Sequence, residues 1–293
     1  MDWIQFVLAP QVINGLSIGV AVVLMALGLT IIFGLLDVIN MAHGEFYAIG
    51  AYVGLALLGA GLPFWWALGL TPILMAAMGY VTERGLVQRV FHHKDRHTLT
   101  LLLTFGVGVV LEDLLKIIFG ANPLRMEAPI SGATEVMGLF FPNYRLFLML
   151  AGGLVIAGVW IVVFRTPLGA VVRAAAYDRH MTASLGVPVQ RVYAGTFAFG
   201  VALAGLSGVL LAPVYSVFPT MGRDFVFMAF SVVIIGGMGS IKGAVIAGLV
   251  LTQIQSISSL YISPVWSDPL LFSIMVLVLM WRPQGLFGKL GHG

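Results

Sequence analysis

Between residues 34 and 47 the chain sets polar, ionisable side chains inside an otherwise apolar stretch. The run reads Gly34-Leu-Leu-Asp37-Val-Ile-Asn40-Met-Ala-His43-Gly44-Glu45-Phe-Tyr47. Ionisable groups at membrane depth are costly and usually face a bundle interior or a watery cavity. A Gly-interrupted break between helix halves is also how transporters expose backbone groups to a solute. The competing reading is a short turn with a polar cap, in which Asn40 merely caps the next helix. His43 and Glu45 do not form H-E-x-x-H, so the pattern does not indicate a zinc protease.

Three further segments carry chemical groups. Glu112, Asp113 and Lys116 close a span at 98–119, and Glu112 and Lys116 have the favourable i,i+4 spacing. They read as a self-neutralised pair reaching for the interface. Thr98, Thr100 and Thr104 on the same span either line a polar path or bond back to their own helix. His92, His93 and His97 with Asp95 have metal-ligand chemistry, but Lys94 and Arg96 between them would repel a cation. Gly236-Gly237-Met-Gly239-Ser240-Ile-Lys242-Gly243 interrupts an apolar run. No strand precedes it, so a tight turn or a broken membrane helix fits better than a phosphate nest. From Arg165 to Pro188 the pattern gives a short amphipathic helix over Arg173–Leu185, started by Pro167 and ended by Gly186 and Pro188. It could simply join two spans at the surface.

The elements that must position these groups follow from composition. Of 293 residues, 60% are hydrophobic and 9% charged, and mean hydropathy is +1.03. A soluble domain carries about 25% charged residues, so most of this surface faces lipid. Spanning helices need about 20 apolar residues. Such stretches recur at about 12–36, 45–62, 64–82, 98–119, 145–164, 192–213, 225–239, 243–262 and 266–281. Their length excludes a barrel of roughly ten-residue alternating strands. The expected fold is all-α: a polytopic membrane helix bundle with about 8–9 transmembrane segments. Broken or re-entrant helices are expected near 34–47 and 236–243. The 36 glycines suit close helix packing in lipid. Cysteine is absent. Met1–Pro10 has no basic n-region, so no cleavable signal peptide is expected.

The basic loops give an orientation. Arg84, Arg89, Lys94 and Arg96 follow the third span, and Arg165, Arg173, Arg179 and Arg191 lie in 165–191. Excess Lys and Arg marks the cytoplasmic side. Lys242, Arg282 and Lys289 then fall inside as well, and 120–144 and the N-terminus fall outside. The chain reads as a single transmembrane domain over 1–293 with no P-loop of the G-x-x-x-x-G-K-[ST] type. A nucleotide-driven transporter would therefore need another subunit for hydrolysis. No nucleophile–base constellation points to an intramembrane enzyme.

Together these segments resemble the permeases of the branched-chain amino acid ABC importers. The resemblance is carried by Gly28-Leu-Thr-Ile-Ile-Phe-Gly34-Leu-Leu-Asp-Val-Ile-Asn40-Met-Ala-His43-Gly44-Glu45-Phe-Tyr-Ala-Ile-Gly50 and by Leu102-Leu-Thr104-Phe-Gly106. Phe119-Gly120-Ala-Asn-Pro123, the loop Arg165–Gly186 and the ending Pro283-Gln-Gly285-Leu-Phe-Gly288 add to it. The size is similar to the shorter of the two permease types in these importers. The resemblance implies a short cytoplasmic coupling helix, which would use Arg173, Ala174, Ala175, Ala176, Asp178, Arg179 and Gly186 to engage an ATPase. Many importers have Glu before two alanines where this chain has Arg173 before three. It also implies a second permease subunit, two ATP-binding subunits holding ATP and Mg, and an external solute-binding protein, in a bacterial inner membrane. No cofactor, metal or nucleic acid is expected on this chain. Asn40, His43, Glu45, Thr104 and Glu112 are the candidates for lining or bracing the translocation path. The solute would be a branched-chain or similar apolar amino acid. The rival readings are urea or a short amide as solute, and a stand-alone channel or secondary transporter in which Glu112 or His43 couples to protons.

Overall fold

A computed structural model describes residues 7–91, 93–136 and 138–288. His92, Lys289 and the first six residues, all drawn on above, lie outside the described residues. The chain is helical almost throughout. Helix α1 spans Ala9–Leu36, α2 His43–Gly59 and α3 Phe64–Thr82, which runs on through a π-type turn, Glu83–Val87, to Val90. Helix α4 is Arg96–Phe119. A hairpin of β1 (Ala133–Val136) and β2 (Leu139–Pro142), paired antiparallel, leads into α5, Asn143–Arg165. Two short helices follow, α6 (Pro167–Tyr177) and α7 (Arg179–Ser184). Then come α8 (Val189–Leu211), α9 (Met221–Gly236), α10 (Ile241–Ser258) and α11 (Ser267–Trp281).

Among the described residues, five helical stretches are long and apolar enough to cross a membrane: α1, Phe64–Val90, α5, α8 and α10. Helices α1 and α8 form the centre, with 83% and 78% of their apolar windows buried, against 28% and 22% for α3 and α5. The outer helices turn large apolar side chains outward, such as Ile73 on α3 and Leu154 on α5. That is the pattern of a bundle solvated by lipid.

Helices α1 and α8 cross antiparallel. Gly28 meets Gly200, and seven residues earlier on α1 the Ala21 carbonyl accepts from Ser207 Oγ at 2.7 Å. A Cβ on Gly28 would run into the Gly200 carbonyl, so only glycine allows this spacing. Helix α3 packs antiparallel on α8 through Met75–Gly205 and Gly79–Val201. Helix α10 packs antiparallel on α1 through Gly19–Thr252 and Val23–Gly248. These two are the most extensive helix contacts in the molecule. The chain therefore uses one plan twice, in opposite directions. A long helix, a break, a short helix and a second helix make up α1–α2–α3, and again α8–α9–α10.

The two basic loops meet at one end, as the alternation of spans requires. Lys94 and Arg96 line a cleft with Arg179. Arg96 also faces Asp37, just past α1, at 3.6 Å. The turn Gly237–Ser240 lies at this end, where Gly239 touches Gly34. Leu286 and Phe287 donate backbone hydrogen bonds to Ile235 and Gly236 and tie the tail to the same turn.

Candidate functional site

The break after α1 is built by local hydrogen bonding. Asp37 ends α1 in the left-handed region, φ 54°, with its N–H on the Phe33 carbonyl. Aspartate tolerates that conformation better than most residues. The next residues run back along α1 instead of turning at its end. His43 Nε2 lies 3.1 Å from the Met25 carbonyl. Met25 is eleven residues inside α1, about 16 Å from its end at 1.5 Å per residue. Helix α2 therefore starts in the middle of the bundle and runs only outward.

The predicted path residues gather at that start. Asn40 Oδ1 accepts the Ala42 N–H at 3.1 Å. Thr104 Oγ1 accepts the Met41 N–H at 3.1 Å, and its hydroxyl lies 3.3 Å from the Ile39 carbonyl. Thr100 instead bonds back to Arg96 in its own helix. Asn40, His43, Glu45, Thr104 and Glu112 are all buried. Asn40 and Thr104 brace the non-helical backbone at 37–42, whose polar groups lack an internal ladder, and His43 ties the start of α2 to α1. The broken-helix reading fits this segment; Asn40 does not cap α2, whose N-cap is Ala42 with no side-chain cap, but closes a turn just ahead of it.

The second unit mirrors the first. Helix α8 ends at Leu211, the chain pairs Val217 with Leu124, and α9 begins at Met221. The α9 N-terminus meets the α2 N-terminus directly. A Cβ on Gly44 would overlap the Gly222 carbonyl, and one on Gly222 would stand 2.7 Å from Glu45 Oε2. Two half-helices thus abut at mid-depth, start to start. The run 236–243 does interrupt the helices, but as a tight turn at the basic end. The leg that matches 37–42 lies upstream, at 212–220, a run of turns on either side of the Val217 bridge.

Charged groups cluster at this junction. Glu112 is held from two sides, by Lys116 Nζ at 2.7 Å on Oε1 and by Arg223 from α9 on Oε2. The expected self-neutralised pair is therefore a three-member bridge between α4 and α9, with its carboxylate buried. Arg223 and Asp224, both exposed, were missed in the sequence. Their signal is Gly222-Arg223-Asp224 immediately ahead of an apolar run. Glu45 Oε2 is buried with no hydrogen-bond partner among the described residues.

At the basic end the loop 165–191 holds two helices where one was expected. Thr166 caps α6, accepting the Gly169 N–H at 3.2 Å. Asp178 is extended, φ −148° and ψ 105°, and caps α7 by accepting from His180 and Met181 at 2.8 and 3.0 Å. Those donors, Met181 first, hold the Asp178 carboxyl below its ordinary range. Arg173 does not present its charge freely. Its guanidinium bonds the Val163 carbonyl and lies 5.6 Å from the Phe164 ring, bracing the end of α5. Ala175 is buried, while Ala174, Ala176, Asp178 and Arg179 are exposed. Gly186 ends α7 with φ +82°. Tyr177, Met181 and Leu185, spaced four apart, are 88%, 63% and 78% exposed. Met181 and Leu185 lie one turn apart as a crest at α7, and Tyr177 stands before it across the break at Asp178; none of the three was singled out in the sequence. His93 lines the basic cleft and His97 turns toward Asp37 at 3.6 Å.

Comparison with known proteins places this arrangement. Residues 11–279 match the family model for the branched-chain amino acid transport system permease component. The chain is 30% identical over 294 residues to the high-affinity branched-chain amino acid transport system permease protein LivH of Salmonella typhimurium, covering 95% of each. It is 30% identical to the corresponding protein BraD of Pseudomonas aeruginosa, again with 95% of each covered. It is 28% identical to the permease LivM of Escherichia coli over 90% of this chain and 67% of that one. Among solved structures, PsaBC from Streptococcus pneumoniae in complex with Fab matches with TM-score 0.50 at 16% identity, covering 94% of this chain and 92% of that one. That last likeness concerns fold alone. The chain belongs to the branched-chain amino acid transport system permease family and is a multi-pass membrane protein.

Proposed function

We propose, from that membership, that the chain is one permease subunit of a binding-protein-dependent ABC importer that brings branched-chain or similar apolar amino acids into a bacterial cell across the inner membrane. The single observation that carries a transport role is the meeting of two half-helices at mid-depth, with Arg223 and Asp224 exposed beside them. Exposed charge inside the hydrocarbon region needs a partner surface or an aqueous path. A second permease packed against α4 and α9 would supply both, with the path between the subunits. The relative LivM, named as a permease of the same kind of system, supports a partner of that type.

The energy would come from two separate ATP-binding subunits, each carrying ATP and Mg. The exposed apolar side chains of Tyr177, Met181 and Leu185 are suited to docking one of them. Rocking of the two inverted units would require that nucleotide binding favour one state over the other. An external binding protein would deliver solute at the end remote from the basic loops.

The test is co-purification of the full complex and its reconstitution in proteoliposomes. The expected result is leucine uptake that needs ATP, the ATPase subunits and the binding protein. Uptake by this chain alone would overturn the ABC reading. A binding protein that takes urea or a short amide and ignores leucine would overturn the choice of solute.

A further inference from the structure

We propose that the permease itself holds the solute at a discrete site, in a cleft between α1, α9, α10 and α11, and that this site is built for a zwitterionic amino acid with an apolar side chain. The proposal rests on the transport reading above and adds a station inside the permease. The cleft has a volume of about 310 Å3. That is the low end of the roughly 300–1,000 Å3 usual for ligand pockets, and suits a solute of single-amino-acid size. It reaches from Ser259, past the end of α10, down to Asp224 in the first turn of α9. It thus joins the end remote from the basic loops to the half-helix junction.

Its lining is sorted by chemistry. Asn14, Thr252, Gln255 and Ser256 form a polar wall, and Asp224 contributes a carboxylate at the deep end. Ile18, Phe225 and Met228 form an apolar wall. A groove that merely accommodates lipid tails would be apolar throughout. The neighbouring groove on α10 is of that kind, walled chiefly by Leu249, Val250, Ile254 and Ile257. The polar cleft matches the three parts of the solute. Asp224 takes the ammonium in a charge-assisted bond. The Gln255 carboxamide and the Ser267 hydroxyl at the rim can donate to the carboxylate. Ile18, Phe225 and Met228 take the aliphatic chain, and the flexible thioether adapts to more than one branched shape.

The experiment uses the permease pair with its ATPase subunits in nanodiscs, without the binding protein. Tritiated leucine binding is followed by scintillation proximity. Saturable binding is expected, displaced by valine and isoleucine but not by 4-methylpentanoate, which lacks the amine. D224N should weaken binding at least tenfold. M228W, which fills the cleft, should abolish it, and V250W in the apolar groove should leave it unchanged. Displacement by 4-methylpentanoate as effective as by valine overturns the ammonium assignment on the unaltered protein, whether or not the variants assemble. Wild-type binding in M228W overturns the site. Leucine uptake by the complete system with no binding to the permease overturns the site and leaves the transport reading standing; failure of both uptake and binding overturns both.

Discussion

Replacing Gly44 with alanine should separate α2 from α9 at their shared start. The new Cβ would overlap the Gly222 carbonyl oxygen and stand 2.8 Å from its carbon and 2.7 Å from Val226 Cβ. Two of these neighbours are backbone, so no rotamer change relieves the contact, and one half-helix must move. Overpacking of this kind costs about 1–3 kcal/mol, occasionally more. The control is Gly158→Ala on α5, where an added Cβ meets nothing within 4 Å. There the substitution should gain up to about 1 kcal/mol of helix propensity. The two single-methyl changes thus have opposite signs and differ by about 1–4 kcal/mol when the ranges are combined. Thermal unfolding of the purified complex in nanodiscs, with uptake measured on the same preparations, would resolve that gap. Gly44→Ala should melt several degrees lower, at about 2–4 °C per kcal/mol, and transport more slowly. Equal melting of the two variants would refute the start-to-start packing of the half-helices.

Arg223→Ala should lower both uptake and the yield of folded complex, because buried Glu112 loses one of its two cations; uptake rates should recover in part in Arg223→Lys, and an Arg223→Ala variant at wild-type level would refute the bridge. Tyr177→Asp combined with Leu185→Asp should cut ATPase co-purification at least tenfold while membrane insertion stays normal; full retention of the ATPase would remove the crest from the docking surface. Gly186→Ala should strain the end of α7 through its positive φ rather than through a clash, at about 1–2 kcal/mol, visible as faster amide exchange in 179–186; unchanged exchange would count against the strain. The Asp178 carboxyl lies below its usual range in the folded chain, so its cap is fully present above the unfolded value near about 4 and is lost as pH falls through the lower folded one. Protection of the His180 and Met181 amides, measured against their intrinsic exchange rates, should therefore hold at pH 5 and fall in stronger acid, while Asp178→Asn should show no such step.

Much of this was legible because membrane helices announce themselves by length. The stretches at 12–36, 145–164 and 192–213 correspond to α1, α5 and α8 within a few residues. The polar run at 34–47 was legible as a break because Asp, Asn, His and Glu fall together in apolar sequence. Depth was not legible. The 45–62 and 225–239 stretches are apolar enough to pass for full crossings, yet each begins in mid-bundle. Only the contact of His43 with Met25 and of Gly44 with Gly222 reveals that, and those pairs are 18 and 178 residues apart. The second break at 212–220 was missed for a related reason. Its polar groups bond to distant backbone, as Val217 does to Leu124, so the segment carries few charges of its own. Arg223 escaped notice because its partner, Glu112, lies 111 residues away.

The acidic side chains at the junction have a common physical cause. Each half-helix presents about half a positive charge at its N-terminus, and here two such ends face each other. Glu45 sits in the first turn of α2 and Asp224 in the first turn of α9. Each offsets its own helix end, by about 0.3–1 kcal/mol at an exposed site and more when partly buried. Glu112, from α4, adds a third carboxylate, which Lys116 and Arg223 then balance. Negative groups here are thus required by the fold as well as available to a solute. Asp224 stands in both places, in the first turn of α9 and at the deep end of the cleft. The packing sets what can move. Helices α1 and α8 are locked by glycine contacts along their crossing. The junction of α2 and α9 is held by packing, Gly44 against Gly222 and Val226 and the Tyr47 ring 4.5 Å from that of Phe225, while the Glu112–Arg223 ion pair ties α9 to α4. A conformational cycle that kept the α1–α8 crossing rigid and exchanged the partners of Arg223 would let α9 move against α4 while the glycine contacts at the centre stay intact.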